Sequence, residues 1–306
     1  MKLNETKLWT ALITPMHPDG SIHFEDLERL ARMQERSGNG ILLAGSTGEG
    51  LALRTEEKKS LVKYVMGLEL RVPVMAGVGG FDLEAQKEWI AFCDNLGVDA
   101  LLLVTPLYAK PGPVGQTEWF MALMDHAKAP CMIYNIPSRT GTELPVNTLQ
   151  TISMHPNFWS VKEASGDMMV VSSYKEACPE IPIYSGDDAL MPDFAKAGSR
   201  GLVSVASNIW PAITRQYTEM CLSRQTEALY PVWQDITRLL FSAPNPVPVK
   251  KLLKEKGIIQ SAALRLPLTE NEMDSVDDLL RADADIRTWF ENINNRYELG
   301  NYTEST

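Results

Sequence analysis

Cysteine and histidine are scarce, at four each in 306 residues. Cys93, Cys131, Cys178 and Cys221 are widely spaced and form no C-x-x-C pair. That argues against a disulfide framework and against a zinc site; reduced thiols in a cytoplasmic protein are the expectation. His17, His23, His126 and His155 are equally scattered, so no histidine-based metal site is expected. Basic charge is also short. Lys and Arg number 29 against 39 Asp and Glu, a net charge of −10, whereas a nucleic acid or an anionic membrane calls for a basic surface. Small anionic substrates stay open, since a few local arginines or backbone amides can hold a carboxylate. No apolar run approaches the length of a membrane span, and M-K-L-N-E-T-K-L-W-T lacks the apolar core of a signal peptide. No G-x-G-x-x-G follows an early strand, which weakens the case for a doubly wound open sheet.

What is present is alternation. Short apolar runs predict strands at 8–14, 41–44, 72–76, 100–104, 131–134, 158–162, 181–184 and 202–205. Between them, helical spacing predicts helices at 24–37, 55–70, 83–96, 119–127, 146–154, 168–177 and 189–197, with Thr55 as the cap of the second. Eight such units predict a parallel α/β sheet closed into a (β/α)8 barrel. A barrel of this kind usually takes ~250 residues, so residues 1–225 are expected to form it. Residues 226–306 are then expected to pack on it as a helical extension, with helices at 229–241, 249–256 and 273–292 and a frayed polar tail from Asn294.

The stretch W-S-V-K-E-A-S-G-D, Trp159 to Asp167, ends an apolar strand on Lys162. A lysine amine is a nucleophile only when neutral, and apolar walls favour that form; it can then add to a carbonyl and form an imine. Taken alone, the stretch favours a snorkelling lysine or one paired with Glu163, because buried lysine is rare.

Catalytic groups of such a barrel sit at the carboxyl ends of its strands. After the second strand comes G-S-T-G-E-G, Gly45 to Gly50, where the hydroxyls of Ser46 and Thr47 and free backbone amides suit a carboxylate or phosphate. A plain glycine turn fits equally well. After the fourth comes T-P-L-Y, ending on Tyr108, and after the fifth Y-N-I-P-S-R-T-G, from Tyr134 through Arg139. Arg139 suits a substrate carboxylate, or is a surface arginine on a turn. After the seventh comes S-G-D-D, where Gly186 allows close backbone approach and the aspartates cap the next helix. A lysine, two tyrosines, a hydroxyl pair, an arginine and a tight glycine at one face are hard to explain separately. Together they predict a catalytic site.

These motifs resemble the pyruvate-dependent class I aldolases of the dihydrodipicolinate synthase and N-acetylneuraminate lyase family. The resemblance spans Leu8 to about Thr269 and includes N-P-V-P-V-K at Asn245 to Lys250 and L-R-L-P-L at Leu264 to Leu268. S-R-T-G after the tyrosine points to the synthases within it; Ser46 stands where synthases often carry threonine, and serine there also occurs in the lyases. The resemblance implies that Lys162 forms an imine with pyruvate. It implies that Tyr134 shuttles protons, tied to Ser46 and to Tyr108 from a neighbouring subunit. Thr47 would hold the pyruvate carboxylate, Arg139 that of L-aspartate 4-semialdehyde, and Gly186 and Val205 would line the pocket by backbone. It further implies a homo-oligomer, a tetramer built from dimers, with no metal or organic cofactor. A lyase or sugar-acid aldolase releasing pyruvate is the alternative, and a non-catalytic ligand-binding barrel the remote one.

Overall fold

Each short apolar run is followed by glycine or polar residues and then by a helix with one apolar face, so each strand can pair sideways only if its helix crosses over the sheet. Eight repetitions close the sheet on itself. The computed structural model describes residues 3–225 and 229–303. Its strands are β1 (Leu8–Ala11), β2 (Gly40–Leu43), β3 (Val74–Val78), β4 (Ala100–Val104), β5 (Cys131–Asn135), β6 (Phe158–Glu163), β7 (Ile183–Ser185) and β8 (Gly201–Ser204). They form a closed barrel in sequence order, parallel throughout, with Leu8 opposite Leu202 at the closing seam.

The helices are α1 (Phe24–Ser37), α2 (Thr55–Gly67), α3 (Leu83–Leu96), α4 (Pro113–His126), the single turn α5 (Pro137–Thr140), α6 (Val146–Ile152), α7 (Met168–Ala177), α8 (Met191–Lys196), α9 (Pro211–Leu222), α10 (Trp233–Leu239), α11 (Val247–Glu255) and α12 (Asp277–Thr303). Strand residues alternate between two cores, as a period of two requires. Trp9, Leu42, Met75, Leu102, Met132 and Tyr184 fill the lumen, whereas neighbours such as Leu8, Ile41, Val74, Leu101, Ile133 and Ile183 pack under the helices.

Several expected boundaries move. The fourth helix starts at Pro113 rather than Trp119, because a proline in the first turn presets the helical φ and needs no donor. Arg54, not Thr55, caps α2, its N–H donating to the Glu57 carboxylate at 2.9 Å. The helix expected from Leu229 forms only over α10, since Pro231 keeps its predecessor out of helical geometry. The last helix begins at Asp277, after a single 3-10 turn at Glu270–Glu272, and runs on to Thr303 where a polar tail was expected. The final part of that tail, 304–306, lies outside the described residues. The segment with no expected element, 206–225, holds α9, whose Ile213 and Tyr217 are buried.

Three contacts dock the C-terminal helices. Trp210 Nε1 donates to Asp283 at 2.7 Å, Trp233 Nε1 donates to the Asp188 carbonyl at 2.8 Å, and Lys250 pairs with Glu49 at 2.5 Å. None of the described helices is long and apolar enough to cross a membrane.

The seam leaves no room at Gly201, where an added Cβ would lie 1.9 Å from the Lys7 carbonyl oxygen that accepts the Leu202 N–H. Gly201→Ala should therefore destabilise the fold by ~1–3 kcal/mol or more through forced backbone displacement. An unchanged melting temperature would mean that the seam has slack.

Candidate active site

β5 and β6 pair so that Tyr134 lies opposite Lys162. Val161 packs under the helices, so alternation turns Lys162 into the lumen. Lys162 is 5% exposed, and its Nζ stands 4.0 Å from the centroid of the Tyr134 ring. Gly186, just past β7, makes space for it: a Cβ there would come within 2.8 Å of Lys162 Cε and 2.6 Å of the Ala164 Cβ.

Glu163 points the other way and does not pair with Lys162. It is fully buried, accepts Asn135 Nδ2 at 2.7 Å and the Ser165 N–H at 2.5 Å, and burial raises its pKa against those two hydrogen bonds. Asn135 Oδ1 accepts the Leu144 N–H at 2.9 Å. Glu163 thus fixes both ends of the loop that carries α5 and Arg139. Nothing in the sequence links Asn135 to Glu163; only the strand register does.

The loop Gly45–Gly50 is held from several sides. Ala44 and Glu49 adopt left-handed φ of 54° each, strained for residues with a Cβ. Thr14 Oγ1 donates to the Gly48 carbonyl at 2.7 Å, Asn245 Nδ2 donates to Thr47 Oγ1 at 2.9 Å, and Glu49 pairs with Lys250.

Ser46, Tyr108, Tyr134 and Arg139 line one cavity of about 530 Å³ at the carboxyl ends of β2 to β5. Arg139 and Gly186 line a second, of about 490 Å³, that shares Ile136 and Ser138 with the first. Lys162 lines neither, but it touches Tyr134 of the first and abuts Gly186 of the second. Thr47 and Val205 line neither cavity: Thr47 is buried against Asn245, and the Val205 N–H is given to Asp188. No hydrogen bond joins the hydroxyls of Tyr134, Ser46 and Tyr108 among the described residues. Tyr108 is 86% exposed at a left-handed φ of 62°, and Arg139 is exposed with no ion pair among the described residues.

Asp188 does not cap α8, whose N-cap is Leu190. It is buried, and accepts the Ser204 hydroxyl at 2.5 Å and the N–H groups of Val205 and Ala206 at 2.8 and 3.2 Å. It therefore ties the loop after β7 to the end of β8, a link visible only once the barrel is closed. Among the described residues, His17, His23 and Glu25 form the one group able to share a metal ion. There, however, the His23 Nδ1 lone pair already caps α1 by accepting the Asp26 N–H at 3.2 Å.

A closed barrel that sets a buried lysine against a phenol at the carboxyl ends of its strands is the framework of an imine-forming aldolase. The chain belongs to the Dihydrodipicolinate synthetase family, whose profile matches residues 4–283. It is 48% identical over 288 residues to the 4-hydroxy-tetrahydrodipicolinate synthase of Francisella philomiragia, covering 94% of this chain and 98% of that one. Among solved structures it resembles the same enzyme of Methylacidiphilum fumariolicum SolV, with a TM-score of 0.89 at 32% identity over 95% of this chain and 98% of that one. The chloride-inhibited dihydrodipicolinate synthase of Acinetobacter baumannii, complexed with pyruvate, gives 0.84 at 29% identity over 94% and 98%.

Burial dominates at Asp188 and pushes its pKa up to about 6, against the three hydrogen bonds that favour the anion. Unfolded, the group titrates near ~4. The folded chain therefore holds this proton more tightly, and the contribution is full below pH ~4 and lost as the pH rises through about 6. Relative to Asp188→Asn, the wild type should lose up to ~3 kcal/mol of unfolding free energy between pH 4 and 7. Denaturant titrations at both pH values check this, and a constant difference would refute it.

Proposed function

We propose that this protein is a 4-hydroxy-tetrahydrodipicolinate synthase, condensing pyruvate with L-aspartate 4-semialdehyde in lysine and diaminopimelate biosynthesis. The observation that carries the reading is Lys162, buried in the lumen with its amine 4.0 Å from the Tyr134 ring and cleared by Gly186. Membership of the family and the names of its relatives support it.

The Lys162 amine adds to the pyruvate ketone, and loss of water gives a protonated imine. The imine nitrogen withdraws electrons, so the pyruvate methyl gives up a proton and an enamine forms. Tyr134 moves these protons, as a phenol placed beside the amine can. The enamine carbon attacks the aldehyde. The amine of the second substrate then displaces Lys162 as the ring closes, freeing the lysine for the next turnover. One water leaves per product, and no outside oxidant or reductant enters.

Thr47 with nearby amides receives the pyruvate carboxylate in this reading, and Gly186 and Val205 contribute backbone to the pocket wall. The hydrogen bond between Thr47 and Asn245 and that between Val205 and Asp188 then set where those groups stand. Arg139 receives the carboxylate of the semialdehyde; its unpaired guanidinium on the cavity wall supports the synthase over a sugar-acid aldolase. Residues 226–306 are taken as an extension packed on the barrel of residues 1–225. The setting is cytoplasmic. Burial raises the Cys93 and Cys221 thiols to about 12, which suits packing rather than redox chemistry.

Borohydride with pyruvate should add mass to the peptide containing Lys162, and Lys162→Ala should abolish the label. A label on any other lysine would remove the assignment, and turnover with another aldehyde in place of aspartate semialdehyde would move the protein to the lyase branch.

Tyr108 extends the reading to assembly. Among the described residues it is the most exposed of the large apolar or aromatic side chains, on a strained backbone, and it lines the first cavity together with the exposed Leu51. Exposed apolar side chains clustered in this way mark a contact surface. The active species is expected to be a homo-oligomer, a tetramer of paired dimers, in which Tyr108 enters a neighbour's site. Sedimentation at assay concentration should give a multiple of 34.1 kDa, and a fully active monomer would overturn the assembly.

A further inference from the structure

The cavity on the Gly186 side of Lys162 is bounded by a helix from beyond the barrel. Arg238 and Phe241 reach it from α10 and its end, and Arg139 reaches it from α5. α10 is not loosely attached. Trp233 Nε1 donates to the Asp188 carbonyl, two residues past Gly186, at 2.8 Å, and the Trp233 ring stacks on Tyr217 at 4.1 Å. A helix pinned to the same loop that clears space for Lys162 keeps Arg238 on the wall of this cavity.

Neither arginine is used by the fold. Arg139 has no ion pair among the described residues. Arg238 has only Asp235, at 3.8 Å with the two side chains 62% and 81% exposed, a contact that adds almost nothing to stability. The one carboxylate on the cavity wall, Asp187, already accepts the Ala189 N–H at 2.8 Å. Two guanidinium groups without a strong partner among the described residues, around about 490 Å³ in a chain of net charge −10, constitute a local anion site.

Resting on the function proposed above, we propose that Arg238 acts with Arg139 as a two-arginine clamp for the carboxylate end of the second substrate. Aldehyde recognition is then shared between the barrel and the helix that follows it. Pyruvate, whose carboxylate is held at Thr47, lies outside the clamp. Arg238 is a binding and specificity residue and has no part in the proton transfers.

The test compares Arg238→Gln, Arg238→Lys and Arg139→Ala with the wild type, using purified pyruvate and aspartate semialdehyde at several ionic strengths. Losing a charge-assisted contact should raise the KM for the semialdehyde about tenfold in Arg238→Gln, with the KM for pyruvate unchanged. The salt dependence of kcat/KM for the semialdehyde should flatten in Arg238→Gln and be retained in Arg238→Lys, because screening weakens the contact between a charge on the helix and the bound carboxylate. A semialdehyde KM within twofold of wild type, or equal rises for both substrates, would overturn the clamp. Borohydride labelling of Lys162 with pyruvate separates the two levels. Label retained in Arg238→Gln with the expected KM split supports the clamp, whereas no label in the wild type overturns the aldolase reading beneath it.

Discussion

The ion pair between Lys250 and Glu49 is the contact on which the site's geometry depends. Both side chains are essentially inaccessible, at 0% and 1%, and stand 2.5 Å apart. Burial pushes the Lys250 pKa down, and the Glu49 carboxylate works against that. Among the described residues neither side chain makes another ion pair, so removing one partner would strand the other at ~3–5 kcal/mol. Backbone groups add to the pair: the Ala263 carbonyl accepts from Lys250 at 2.8 Å, and Glu49 accepts the Arg265 N–H at 2.9 Å. One pair thus joins the loop after β2, helix α11 and the segment at 263–265. Arg265 extends the junction by binding both oxygens of Glu57, with Arg54 also beside it, which holds that carboxyl well below the usual range. The loop so clamped is the one that carries Ser46 and Thr47, and Asn245, just ahead of α11, grips Thr47 directly.

A second constraint comes from the pleat. Lys162 and Glu163 are adjacent, so they must face opposite sides of β6. The lumen side receives the amine, and the outer side receives a carboxylate that organises Asn135, Ser165 and, through Asn135, Leu144. Tyr174 reinforces the same loop by donating its hydroxyl to the Leu144 carbonyl at 2.6 Å. The position of Arg139 therefore follows from the register of β5 and β6. Shifting that register by one residue would exchange the two charged side chains and lose both functions.

The bounds of α1, α3, α7 and β4 were legible from apolar spacing alone, because each has flanking turn residues and a regular apolar face. α4 began earlier than its pattern because P-V-G-Q offers no apolar periodicity; proline chemistry starts that helix. α9 had no expected element, although Ile213 and Tyr217 lie four apart on one face. For the site, Lys162, Tyr134, Ser46, Tyr108, Arg139 and Gly186 could be gathered because a barrel places every strand end at one mouth. Asp188, Asn135 and Glu163 could not. Their partners lie on other strands or loops, and local sequence offers the nearer explanation of a helix cap or a lysine partner. Lys250 and Asn245 were visible as parts of a motif, but their contacts with Glu49 and Thr47 depend on how α11 returns to the barrel.

Charge distribution links the fold to the chemistry. An excess of ten negative charges repels small anions on average, yet every carboxylate in the proposed reaction must enter the barrel mouth. The structure resolves this locally. Lys58 lines the first cavity, half-buried, 5.2 Å over the Trp89 ring, and burial lowers its pKa, partly offset by Cys93. Lys110 and Arg139 line the same space, and Arg238 lies across the second. Apart from Asp187 on the second cavity's wall, acidic residues are drawn into helix first turns, pairs such as Glu49 with Lys250, and hydrogen bonds such as those of Asp188. Within a Debye length of ~8 Å at physiological salt, an approaching anion responds to the cations at the mouth more than to the distant acidic surface. A chain can thus be acidic overall and still gather anions at the mouth that holds Lys162.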